Sequence, residues 1–210
     1  LGAKVLSMAV GFINLKQLDL SYNRLEGLGI KSLVNSSLCQ HFIELNIRDT
    51  GVGDDGLKFL AKAPPLESLT TLNLSDNSLT EIGMDILCNS MVFPNLKTLV
   101  LNNNHIGDDG IYALSQSEML HNLESLFLTN NDLTTDSAIS ISKSNVLTQL
   151  KVLDFNNNDI RAEGTKALSE SSNLSSIQYL DLGENRLGPD GVEALAKSSN
   201  MKTLKFLRLN

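Results

Sequence analysis

A single frame of apolar residues returns every 27 positions along this 210-residue chain, without one insertion or deletion. Leu15, Phe42, Leu69, Leu96, Leu123, Leu150, Ile177 and Leu204 each open a copy of L-x-x-L-x-L-x-x-N-x-L-x-x-x-G-x-x-x-L. A period of this kind predicts one supersecondary unit stacked on itself, because a lone unit cannot bury its apolar face. In x-L-x-L the alternation has period two, so the leucines face a core and the residues between them face solvent, as in a half-buried strand. Each unit then adds one strand to a parallel sheet.

The other columns predict the rest of the unit. Asn23, Asn77, Asn104, Asn131, Asn158 and Asn185 recur where the chain leaves the strand, with Thr50 as the weak rung. An amide there can satisfy backbone donors and acceptors that would otherwise be buried unpaired. Alanine at Asn104 or Asn131 is expected to destabilise, and alanine at Asn103 or Asn130 to be tolerated. Carboxylates cluster ahead of a repeated glycine (Asp54, Asp55, Glu81, Asp108, Asp109, Asp136, Glu163, Asp190), as first-turn residues that complement a helix dipole do. Ser137 interrupts the glycine column and Ile139 stands where Lys31, Lys58, Asp85, Lys166 and Glu193 face solvent, so a local defect is expected there, either a shifted helix or an apolar convex spot shared with Tyr112, with faster opening over 134–144. Small residues at Ser36, Ala63, Ser90, Ser117, Ser144, Ser171 and Ser198 suggest close stacking of successive helices.

With these motifs, of which IGDDGIYAL at 106–114 and LGPDGVEAL at 187–195 are the fullest, the chain resembles the ribonuclease-inhibitor-like branch of leucine-rich-repeat proteins. The resemblance implies an α/β leucine-rich-repeat solenoid, a horseshoe with a parallel concave sheet and convex helices. It also implies protein recognition, with family roles that include enzyme inhibitors, intracellular sensors, activators of small GTPases and bacterial effectors. Residues 1–210 read as one domain of seven full-period repeats with truncated repeats at both ends, expected to be a fragment of a longer chain. The 41 % apolar content with only 5 % aromatics suits an aliphatic core.

Enzyme signals are poor. His41, His105 and His121 fall in different repeats without ligand spacing, and no catalytic residue, metal or cofactor is expected. The GDDG tetrads at 53–56 and 107–110 recur in phase with helix starts and read as caps rather than calcium loops. Arg24, Arg161 and Arg186 are the loop arginines a GTPase activator could use, and such a regulatory or targeting arm of a larger protein is the alternative reading. Cys39 and Cys88 read as core fillers, so a cytoplasmic location is expected, the host cytoplasm if the chain is a secreted effector.

Function then falls to the outward strand positions. Val100, Phe127, Val152, Tyr179 and Phe206 form an apolar line across five neighbouring strands, with Asp154, Asp181 and Arg208 beside it, whereas the first three strands are polar. Aromatic anchors in a polar rim are the usual makeup of interface hot spots, although scattered surface hydrophobes are common. Lys16, Lys97, Lys151 and Lys205 make a basic rim along an otherwise acidic face. The net charge of −7 disfavours a nucleic acid and favours a basic protein or peptide. The chain shows no membrane-spanning run, and its oligomeric state is left open.

Overall fold

The computed structural model describes residues 2–9, 11–12 and 14–210. Eight three-residue strands follow the frame: β1 Gln17–Asp19, β2 Glu44–Asn46, β3 Thr71–Asn73, β4 Thr98–Val100, β5 Ser125–Phe127, β6 Val152–Asp154, β7 Tyr179–Asp181 and β8 Phe206–Arg208. They form one parallel sheet in strict chain order. Every pair is in register at the repeat spacing, as in Gln17 opposite Glu44 and Tyr179 opposite Phe206. Pairing continues past the strand ends, for Leu20 N–H donates to Asn46 O at 2.8 Å and Tyr22 N–H to Arg48 O at 2.9 Å.

Helices alternate with the strands: α1 Gly2–Leu6, α2 Glu26–Val34, α3 Gly53–Leu60, α4 Glu81–Cys88, α5 Gly107–Gln116, α6 Thr135–Lys143, α7 Arg161–Glu170 and α8 Gly188–Ala196. Neighbouring strands need about 4.8 Å of room, whereas helices with side chains need about 10 Å. A stack of both must therefore bend with its strands inside. Between the layers runs one continuous core in which Leu72, Leu99, Leu126 and Leu153 alternate with helix residues such as Leu60, Leu87, Leu114 and Ile141.

The asparagine column is a hydrogen-bonded ladder. Asn104 Nδ2 donates to Leu101 O at 2.8 Å in its own turn and to Leu74 O at 3.2 Å one repeat back. Its Oδ1 accepts the Asn77 and Leu79 amides, both at 3.0 Å. Asn77, Asn158 and Asn185 also reach back to the preceding turn. Asn131 differs, since its Nδ2 reaches Leu101 O at 2.9 Å but its Oδ1 is buried without a partner. At the weak rung, the Thr50 hydroxyl satisfies only Ile47 O in its own turn among backbone groups. The Thr50 carbonyl accepts the Leu25 and Glu26 amides instead. Asn23 is an exposed rung that bonds only within its own turn.

Two expectations are corrected. Asn103 and Asn130 are not neutral bystanders: they belong to a left-handed column that runs through Tyr22, Asp49, Asp76, Asn103, Asn130, Asn157 and Glu184, with φ near +55°. A Cβ without a local polar partner is disfavoured there. Ser137 is not a defect either. It is fully buried, and both its amide (3.1 Å) and its hydroxyl donate to Asp108 Oδ1 of the preceding repeat. Asp108 also accepts the Thr134 amide at 3.0 Å and hydroxyl at 2.6 Å, while Thr134 caps α6. Asp54 holds Thr80 in the same way. These carboxylates thus fasten the next helix rather than only their own. The serine column does more than permit close packing, because Ser117, Ser144, Ser171 and Ser198 donate to Cys88, Ser115, Ser142 and Ser169 carbonyls of the preceding helix ends. Those carbonyls belong to the last turn of a helix, where intrahelical partners run out.

Candidate protein-binding surface

On the inner face the sheet divides in two. Over the first strands, several outward groups engage one another. Asp19 accepts the Ser21 amide and hydroxyl and the Asn46 side chain, which hold its carboxyl below the ordinary range despite slight burial. Arg48 lies 2.8 Å from Asp76 and stacks over Tyr22 with 5.5 Å to the ring centroid, so its charge is neutralised.

The second half carries the apolar residues. Val100 pairs with Phe127, and Val152 with Tyr179 and then Phe206. Because Phe127 faces Asp154 and Ser125 faces Val152, the line consists of two adjacent rows joined by one diagonal step, as the outward positions imply. All five side chains are at least partly exposed. The Tyr179 and Phe206 rings stack with centroids 4.4 Å apart and planes at 4°.

The row of Val100 and Phe127 continues into Asp154, Asp181 and Arg208. Here the structure departs from the expectation. Asp181 is only 2 % exposed and is not a free acid facing a partner. Its Oδ1 accepts the Gly183 amide at 2.9 Å, and Arg208 reaches back from the adjacent strand to within 3.5 Å of Oδ2. Asp154 remains half-exposed. Burial pushes its carboxyl above the ordinary range, the Asn156 amide and Thr129 hydroxyl pull the other way, and the Asp181 charge adds to the rise. The same burial, with both carboxylates nearby, raises the Tyr179 phenol. Thr129 and Asn156 thus belong to this site; the repeat marks both as outward-facing positions, but their polarity alone does not single them out.

The rim expected to be basic is a mixed ladder. Lys97 and Lys151 both pair with Glu124, at 3.2 and 2.6 Å, and hold its carboxyl below the ordinary range. Lys205 donates to Gln178 at 2.9 Å, and Lys16 is exposed. The loop arginines are engaged too: Arg24 with Glu26, and Arg161 and Arg186 with the shared Asp159. No group of three or more His, Cys, Asp or Glu could hold a metal ion among the described residues. Cys39 and Cys88 are free and buried, and burial pushes both thiols up to about 12. No helix among the described residues is long and apolar enough to cross a membrane.

This arrangement is shared with known proteins at the level of the repeat. Residues 13–34, 38–61, 146–169 and 173–196 match the Leucine Rich repeat family model, and residues 67–113 match that of Leucine Rich repeats in two copies. Many solved structures are similar. One is internalin C2 from Listeria monocytogenes, with a TM-score of 0.53 and 23 % identity over 92 % of this chain and 80 % of that one. At that identity the likeness concerns the fold alone. No curated protein matches the chain.

Proposed function

The chain belongs to the leucine-rich-repeat proteins, whose domains generally mediate protein–protein interaction, and from that premise we propose that it is a non-catalytic recognition module holding a protein partner against the second half of its inner face. The observation that carries this reading is the half-exposed apolar run from Val100 to Phe206, ending in the Tyr179–Phe206 stack. Nothing in the repeat requires apolar side chains at these outward positions. The rigid rings offer large contact area at little entropic cost, as interface anchors do.

Asp154 is the acid best placed to meet a cation of the partner. Asp181 acts through Arg208, which it orients, and so supports a partner of basic character less directly than Asp154 does. Well-formed helices of eight to ten residues after each of β1 to β7 favour the ribonuclease-inhibitor-like branch. Two buried, unpaired thiols suit a reducing, cytoplasmic setting. Arg24, Arg161 and Arg186 are exposed side chains, each beside a carboxylate, and none is set apart by its surroundings as the finger that the arginine-based alternative needs.

The test is to identify a partner by affinity capture and then titrate it against variants. Phe127→Ala and Tyr179→Ala should each weaken binding by about 2 kcal/mol, roughly 30-fold. Tyr179→Ala should also lower stability by about 1 kcal/mol through loss of the stack. Gln17→Ala and Thr71→Ala should leave affinity unchanged. Equal affinity for both aromatic variants and wild type would overturn the reading.

A further inference from the structure

The convex face carries a second apolar surface that the concave reading leaves unused. Between α4 and α5 lies a groove of about 910 Å³ in which Ile82, Met91 and Tyr112 stand 59, 62 and 61 % exposed. On most other helices the position of Tyr112 holds a charged residue (Lys31, Lys58, Asp85, Lys166 or Glu193), the ordinary solvated choice, and only Ile139 on α6 is also apolar. The groove's rim has a single sign. Glu81, Asp85, Asp109 and Glu118 line it, with no lysine or arginine. Neither α4 nor α5 contains a basic residue. On other helices some acids are matched by a lysine three or four positions away, as in Lys58 with Asp55, Lys166 with Glu170 and Lys197 with Glu193, whereas Asp136, Glu163 and Asp190 have no ion pair among the described residues. The four groove carboxylates form no such pair among the described residues. An apolar floor ringed by unmatched charge marks an interaction surface and sets the sign of what covers it.

We propose that the α4/α5 groove docks a cationic amphipathic segment of a protein, one that seats a bulky apolar side chain between Ile82 and Tyr112 and places Lys or Arg against Glu81, Asp85, Asp109 and Glu118. Lysine and arginine suit this position because their aliphatic stems can lie along Met91 and Tyr112 while the charged heads reach the rim. This surface lies on the opposite layer from the concave row, so one protein could engage both or two could bind at once.

The probe is a fluorescein-labelled 18-residue amphipathic peptide of Leu and Lys, titrated by anisotropy and mapped by amide chemical shifts. A peptide with Glu in place of Lys and one with Ser in place of Leu serve as controls. The Leu/Lys peptide should bind, and both controls at least 10-fold more weakly. Shifts should concentrate on residues 81–91 and 109–119. Tyr112→Lys and the pair Asp85→Lys with Asp109→Lys should each reduce affinity at least 10-fold, whereas Phe127→Ala and Tyr179→Ala should not change it. Their retention of binding separates this proposal from the concave one. Three results would overturn it: binding insensitive to the groove variants, shifts centred on the sheet, or self-association of the free chain that Tyr112→Lys abolishes.

Discussion

Replacing Asn104 by alanine separates the ladder from its neighbour at single-residue resolution. The substitution removes an acceptor for two backbone amides, Asn77 and Leu79, and a donor to Leu74 O and Leu101 O, in a site that is almost wholly buried. An unsatisfied buried polar group costs about 1–3 kcal/mol, so the two amides set a loss of about 3–4 kcal/mol once partial relaxation is allowed. Asn103, one position earlier, is exposed with φ +56°. Alanine there should cost about 1 kcal/mol for the left-handed backbone, and glycine should cost almost nothing. Asn131→Ala should fall below Asn104→Ala, because the Asn131 Oδ1 serves no amide. Urea titration provides the global values. Hydrogen exchange provides the local one: the Asn77 and Leu79 amides should lose protection in Asn104→Ala and keep it in Asn103→Gly. Equal losses for Asn104→Ala and Asn103→Gly, or unchanged protection at Asn77 and Leu79, would refute the ladder as the source of stability.

Two further outcomes follow from the packing. Asp108→Ala should destabilise by about 2–4 kcal/mol, since it strips four hydrogen bonds from the start of α6. Burial works to raise the Asp108 carboxyl, but those bonds outweigh it and hold it below 3.8, so the contribution is present above that pH and is lost as the pH falls through the depressed folded value. A wild-type-minus-variant stability difference that persisted unchanged at pH 2 would contradict this. Cys39 and Cys88, with thiols pushed up to about 12, should resist a disulfide reagent in the folded protein at pH 8, and both should react after unfolding. Rapid labelling of either in the native state would show that its packing is open.

What the sequence disclosed and what it hid divide along a physical line. Strand positions, helix starts and core columns are properties of one repeat, and period-two and helical patterning displays them directly. Leu45, Leu72 and Leu99 are buried as that pattern requires. The diagonal from Phe127 to Val152 was legible for the same reason, because a fixed period fixes the register. The features that differed come from pairs about one repeat apart. Ser137 looked like a lost glycine until Asp108 was placed beside it, and Asp181 looked exposed until Arg208 folded back over it. The left-handed column was legible in part, because five of its seven residues are Asp or Asn, which adopt that turn most readily, whereas Tyr22 and Glu184 give no such signal. The convex groove was half visible: Tyr112 and Ile139 broke an otherwise charged column, but the matching exposure of Ile82 and Met91 required the helices in place.

The serine hooks are unevenly distributed along the arc, and that makes the spring stiffer at one end. From Ser117 to Ser198 each hydroxyl fastens a helix to the one before it, whereas Ser36 and Ser90 bond within their own turns and Ala63 has no hydroxyl to give. A load applied along the solenoid would therefore open the early repeats first, as units that yield one at a time. The later repeats would hold their curvature under the same strain. They are the ones that carry the apolar row, so a partner held there as proposed would meet a surface already shaped, and less of its binding energy would go into ordering the protein.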